Sequence, residues 1–141
     1  MKSCLNKNTE FEIRFYEQIL ESTPDFVEAL TAVGDLYTRA GRYDEGLEVD
    51  KRLARLRPDD ANVLYNLACS YSLLGLVDQS FEVLKRAFTL GYDNLELLET
   101  DDDLKNLRTD ERFQTYFQAL REKAAQSRPD LQESWKIFKD Q

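Results

Sequence analysis

Apolar residues at Leu30, Val33 and Tyr37 keep a helical spacing, and after Gly41 a second apolar set, Leu47, Leu53 and Leu56, runs up to Pro58. The whole arrangement then recurs. Leu30, Tyr37, Gly41, Asp44, Glu48 and Leu56 are matched 34 residues later by Leu64, Tyr71, Gly75, Asp78, Glu82 and Leu90, while Val33 and Gly34 return as Leu67 and Ala68. A fixed period of this length marks a stacked array of helical hairpins, because each hairpin buries its apolar face only against its neighbours.

Within each unit the punctuation residues set the elements. A helix is expected from Asp25 to about Ala40, ended by Gly41, which takes the backbone conformation other residues adopt only at a cost. Its partner runs over 43–56 with Leu47, Leu53 and Leu56 inward, and Pro58 with Asp59 and Asp60 breaks it and caps the next. The second unit repeats the plan as helices over 61–74 and 77–90, closed by Gly75 and Gly91. Upstream, Phe11, Phe15, Ile19 and Leu20 mark one face of a helix from Thr9 to about Thr23, with Ile13 and Tyr16 beside it. Pro24 lies 34 residues before Pro58, so this helix reads as the second half of a repeat.

Beyond Gly91 the period frays. Leu98 keeps register with Leu30 and Leu64, but Asp101 falls where Val33 and Leu67 stood, and Asp102 where Gly34 and Ala68 stood. Short helical turns are expected over 95–99 and 104–107, then a long helix over 111–126 with Phe113, Phe117, Leu120 and Ala124 as its inner stripe. Pro129 and Asp130 break it, and a last helix over 131–139 offers Leu131, Trp135 and Phe138 as a cap for the open end of the stack. The Asp101, Asp102, Asp103 run lacks the turn glycine and spaced ligands of a calcium loop, and Asp103 before Leu104 reads as a helix cap.

Composition narrows the function. A chain of 141 residues with five glycines and three prolines fits one folded unit without flexible linkers. Its net charge of −8, with no basic stripe, opposes binding to nucleic acid or to anionic membranes and is compatible with a basic partner. Histidine is absent, which removes the commonest general base and metal ligand, and neither a phosphate-cradling glycine loop nor a nucleophile with an evident base is present. The expectation is a protein that is not an enzyme and needs no cofactor or metal. Cys4 in the polar tail and Cys69 in a periodic helix make no plausible disulfide, and no cation flanks Cys69 to stabilise a thiolate. Residues 1–8 carry no apolar run and no stretch is long enough to span a bilayer, so a reducing, cytoplasmic home is expected.

Residues 27–94 resemble two tetratricopeptide repeats. The family's sequence of a large residue, a leucine, a small residue and a tyrosine on the first helix corresponds to Leu30, Val33, Gly34, Tyr37 and to Leu64, Leu67, Ala68, Tyr71, with Gly41, Gly75 and Pro58 in their places. The usual tryptophan is leucine in both units. The small residue of the second helix is Gly46 and then Ser80, and the aromatic four positions on is Asp50 and then Leu84. A carboxylate at Asp50 is costly if buried unpaired, so a rim position or a neighbouring arginine is expected. Residues 91–113 resemble the closing module of some bacterial repeat proteins, which implies a bacterial origin and a true C-terminal end.

The resemblance implies a concave groove lined by the first helix of each unit. Spacings of i, i+3, i+7 and i+10 select Glu28, Thr31, Asp35 and Thr38 in the first unit and Asn62, Tyr65, Cys69 and Ser72 in the second. Asn66, the ninth residue expected in the groove, occupies the asparagine place of the family's carboxylate clamp, but the lysine places hold Thr31 and Asn62 and the arginine place holds Thr100. Without those cations a carboxylate ligand has no charge-assisted donors, and a chaperone tail is rejected as the partner.

The reading is an all-α, right-handed α-solenoid of antiparallel hairpins in one domain. It comprises a flexible tail over 1–8, a half-repeat helix over 9–24, repeats over 27–60 and 61–94, a degenerate repeat over 95–128 and a capping helix over 130–140. The expected function is a non-enzymatic protein-interaction scaffold holding a partner segment in the groove. The alternative is a self-associating repeat protein, a homodimer through the apolar end-face that Phe11, Phe15 and Ile19 leave uncovered.

Overall fold

A computed structural model describes residues 7–127; the expected capping helix with Trp135, and Cys4, lie outside the described residues. Every regular element among the described residues is helical. The order is α1 (Lys7–Ser22), α2 (Val27–Arg39), α3 (Tyr43–Leu56), α4 (Ala61–Leu73), α5 (Val77–Thr89) and α6 (Leu95–Thr100). A 3-10 turn (Asp102–Leu104), a single turn α7 (Lys105–Arg108) and α8 (Glu111–Gln126) complete it. Consecutive helices α1 to α5 each pack on the next, which makes a hairpin solenoid of the expected kind.

The period-34 glycines act as the sequence requires. Gly41 and Gly75 have φ of +78° and +76°, and a matching pair of hydrogen bonds closes each first helix. The Gly41 N–H donates to the Thr38 carbonyl (3.1 Å) and the Arg42 N–H to that of Tyr37 (2.8 Å); one period on, Gly75 donates to Ser72 and Leu76 to Tyr71 (both 2.9 Å). This double closure satisfies orphan carbonyls of the last turn and turns the chain back in the same way in each unit. At the other end of α4, Asp60 caps the helix by accepting from the backbone N–H of Asn62 (3.0 Å) and Val63 (3.2 Å).

The core follows the periodic positions. One buried cluster joins Leu64, Leu67, Ala68, Phe81, Leu84 and Ala87 to Leu98, Leu104, Leu107 and Phe113, so the irregular segment after Gly91 is packed into the second repeat. A smaller one joins Ile13 to Val33, Leu36, Tyr37 and Ala40. Here the expected inner face of α1 is corrected. Ile13, 1% exposed, is the buried residue of α1, flanked by Tyr16 and Leu20, while Phe11 and Phe15 are 67% and 50% exposed. Among the described residues α1 packs mainly on α2, and the row of Phe11 and Phe15 is left exposed. The helix also begins at Lys7, inside the stretch assigned to the tail.

Candidate functional site

The first helices of the two repeats, α2 and α4, flank a trough that holds a cavity of about 420 Å³. Thr31, Ala32, Gly34, Asp35 and Thr38 line it from α2, and Tyr65, Asn66, Cys69, Ser70 and Leu73 from α4. Asp50 of α3, with Asp101 and Asp103 at the 3-10 turn, completes the wall. Six of the nine residues expected in the groove are therefore brought together: Thr31, Asp35, Thr38, Tyr65, Asn66 and Cys69. Glu28 and Asn62 are exposed one turn nearer the start of their helices and do not line it.

Ser72 is placed elsewhere. It is 0% exposed and anchors α7: its hydroxyl accepts from the Leu107 N–H (3.2 Å) and its carbonyl from the Asn106 amide (2.8 Å). Thr38, at the same i+10 step on α2, does line the cavity, so the spacing alone does not decide; Ser72 is taken from the groove by the packing of α7 against the end of α4.

Asp50 is neither at a rim nor beside an arginine. It is 9% exposed, its Oδ2 accepts the Ser70 hydroxyl, and no cation accompanies it among the described residues. Burial pushes its carboxyl up to about 6, against the Ser70 hydrogen bond and with help from the Asp35 charge. Asp101 is equally central. Its Oδ2 accepts the Tyr65 hydroxyl (2.7 Å) and faces the Cys69 thiol (3.9 Å), and its Oδ1 caps the 3-10 turn by accepting from the Asp103 N–H (3.0 Å). The capping expected of the aspartate run is thus performed by Asp101, two residues before the Asp103 expected to do it. Arg108 locks that turn from behind, donating to the carbonyls of Leu98 (3.0 Å) and Asp101 (2.7 Å). Tyr65 is fixed further by stacking on Tyr92, with ring centroids 4.4 Å apart.

The chemistry of this wall is acceptor-rich. Asp103 is raised by partial burial and by the charges of Asp101, Asp102 and Asp35. Burial, followed by the carboxylates of Asp101 and Asp103, holds the Cys69 thiol protonated, so it is neither a nucleophile nor a redox-poised thiolate. The Cys69 sulfur and one oxygen each of Asp101 and Asp103 lie within 4.8 Å of one another, a set with the reach to surround a small cation. Sequence reasoning missed Asp50, Ser70, Asp101 and Asp103 as groove residues. The repeat register carried the signal for two of them: Asp50 stands at an aromatic place and Asp101 at the place of Val33 and Leu67.

The elevated Asp50 gives a signed pH dependence. The folded state binds its proton more tightly than the unfolded chain, so the contribution of Asp50 to stability is fully present below the unfolded value of 3.8 and is lost as pH rises through about 6. Replacing Asp50 with Asn keeps an acceptor for Ser70 and removes the charge. Asp50→Asn is expected to exceed wild type by about 2–3 kcal/mol at about pH 8 and to match it within about 1 kcal/mol at about pH 4. Urea unfolding at the two pH values checks this, and an equal gap at both refutes it.

Comparison with known proteins agrees with the geometry. The tetratricopeptide-repeat family pattern matches residues 61–91, which span α4, the Gly75 turn and α5. A chloroplastic protein of Arabidopsis thaliana is 32% identical over 80 residues, 55% of this chain and 24% of that protein. Protein CTR9 homolog, also of Arabidopsis thaliana, is 38% identical over 52 residues, 37% of this chain and 5% of that protein. The chain thus spans a quarter or less of the length of these relatives. Residues 61–91 thus match a tetratricopeptide repeat, and the 34-residue period and the doubly closed glycine turn give residues 27–60 the same plan.

Proposed function

We propose that this chain is a protein-interaction scaffold that holds a segment of another protein in the trough between α2 and α4. Tetratricopeptide repeats generally mediate protein–protein interaction, and proteins built from them are generally non-catalytic scaffolds. Among the described residues no helix is long and apolar enough to cross a membrane. The observation that carries the groove reading is the convergence of six predicted residues from two repeats on one cavity, formed by helices whose other faces are packed into the core. A surface held by such helices binds without ordering itself first, which keeps the entropic cost on the partner's side.

A display library of random peptides of about 12 residues, panned on the full chain, tests this. The exposed residue Asn66 is the point of attack, since Tyr65 is a core residue whose loss would disturb the fold. Peptides that enrich are expected to lose at least about tenfold in affinity for Asn66→Arg and to be unaffected by Glu82→Lys, on exposed α5 surface. Enriched peptides insensitive to Asn66→Arg contradict the reading.

One observation favours a second reading, self-association. Phe11 and Phe15 form an exposed aromatic row on α1 with Lys7, Glu10, Arg14 and Gln18 around it, and a second copy is the occupant that a self-complementary end-face suits. Light scattering is then expected to show a dimer that becomes monomeric in Phe11→Ser/Phe15→Ser. A strict monomer for wild type at high concentration removes this reading.

A further inference from the structure

The hydroxyl groups of the cavity wall give their hydrogens to protein acceptors, and the exposed Asn66 amide is the lining side chain that carries both donors and an acceptor. The Thr31 hydroxyl donates to the Val27 carbonyl (2.8 Å) and that of Thr38 to the Gly34 carbonyl (3.1 Å). The Ser70 hydroxyl is engaged by Asp50, and the Tyr65 hydroxyl by Asp101. What these groups offer to an occupant is lone pairs. Around them stand the carboxylates of Asp35, Asp50, Asp101 and Asp103, and no lysine or arginine is among the lining residues. Arg39 pairs with Asp35 (3.0 Å) from outside, where both side chains are two-thirds exposed.

Asp50 separates this cavity from an ordinary acidic surface. It is nine-tenths buried, it belongs to the cavity wall, and among the described residues no donor reaches its Oδ1. A buried carboxylate left with a single neutral hydrogen bond is an unbalanced charge, and the favourable way to balance it is a cation with donors to give. Ala32 and Leu73 line the same cavity and supply apolar surface beside the carboxylates.

We infer that the cavity receives the cationic end of a lysine or arginine side chain projecting from the partner segment, an inference that rests on the groove reading above. An ammonium brings three donors and a guanidinium five, and neither brings an acceptor, which complements a wall that presents acceptors and negative charge. The methylene stem of either residue packs along Ala32 and Leu73 while the head reaches Asp50 and Asp103. The same wall excludes a partner's carboxylate by charge, and so selects the opposite ligand sign from the family's carboxylate clamp. A bare divalent cation at Cys69, Asp101 and Asp103 is the competing occupant; the protonated thiol, itself a donor toward Asp101, makes it the poorer fit.

The test uses peptides selected on the full chain. Those sensitive to Asn66→Arg are expected to share a lysine or arginine at one position. Replacing it with norleucine or Nε-acetyl-lysine is expected to weaken binding at least about tenfold. Asp50→Asn/Asp103→Asn is expected to weaken the parent peptide by a similar factor and the norleucine peptide hardly at all, with its thermal midpoint no lower than wild type. Arginine and lysine versions compared side by side tell the two heads apart. Groove-dependent peptides that lack a fixed cation or tolerate norleucine overturn the cation inference and leave the groove reading standing. Peptides indifferent to Asn66→Arg remove both. Titration of the peptide-free chain with Zn²⁺ or Ca²⁺ that shifts the amide resonances of Cys69, Asp101 and Asp103 at micromolar metal overturns the inference in favour of a metal site.

Discussion

Within each hairpin the two helices approach so closely that only small side chains fit between them, and the rest of the structure depends on that approach. A Cβ added at Gly34 would stand 3.2 Å from Val49 Cγ1, and one added at Gly46 would stand 3.2 Å from Thr38 Oγ1. In the second unit Ala68 and Ser80 hold the equivalent places, both 0% exposed, and the Ser80 hydroxyl donates to the Ala68 carbonyl (2.7 Å). The serine thus meets a polar group at the contact without opening it. The same approach builds the site. The position of a Gly34 Cβ lies 3.4 Å from Asp50 Oδ1, so the glycine that lets α3 against α2 also leaves the Asp50 carboxylate its room in the wall of the trough.

The periodic part of this architecture was legible because its signals are local and repeated. Gly41 and Gly75 need φ > 0, Asp60 caps, and the leucines at helical spacing go inside; each is a rule about neighbours in sequence, and the glycines and leucines state it twice at 34 residues. The bounds of α3 and α8 follow directly from Pro58, Asp110 and the glycines. What was not legible depends on which faces are covered. Phe11 and Phe15 make as good an apolar stripe as Ile13, Tyr16 and Leu20, and only the docking of α2 on one side decides between them. Ser72 keeps the groove's spacing yet serves α7, because the irregular turn after Thr100 folds back under α4. The Asp101, Asp102, Asp103 run reads in sequence as a helix cap, and its insertion into the wall requires the packing of Leu98, Leu104 and Leu107 on the second repeat.

The electrostatics of the trough follow from these misplaced carboxylates. Repeat register puts apolar side chains at the places now held by Asp50 and Asp101, and in exchange the chain has an uncompensated negative wall with protonatable members. Burial is the dominant cause at Asp50, at Asp103 and at the Cys69 thiol alike, which is why all three shift toward their neutral forms. A folded state that carries such a charge gives up stability to keep it. That is the usual mark of a position set by what it meets and not by packing.

Where a bound segment sits on the chain is the most direct test of the groove. A peptide selected on the chain, carrying a nitroxide at one end and measured by amide NMR, reports it. Paramagnetic broadening centred on Thr31, Asn66 and Asp103, three of the residues that line the cavity, is the expected result. Broadening confined to α1 or to α8, with those three resonances untouched, would contradict it.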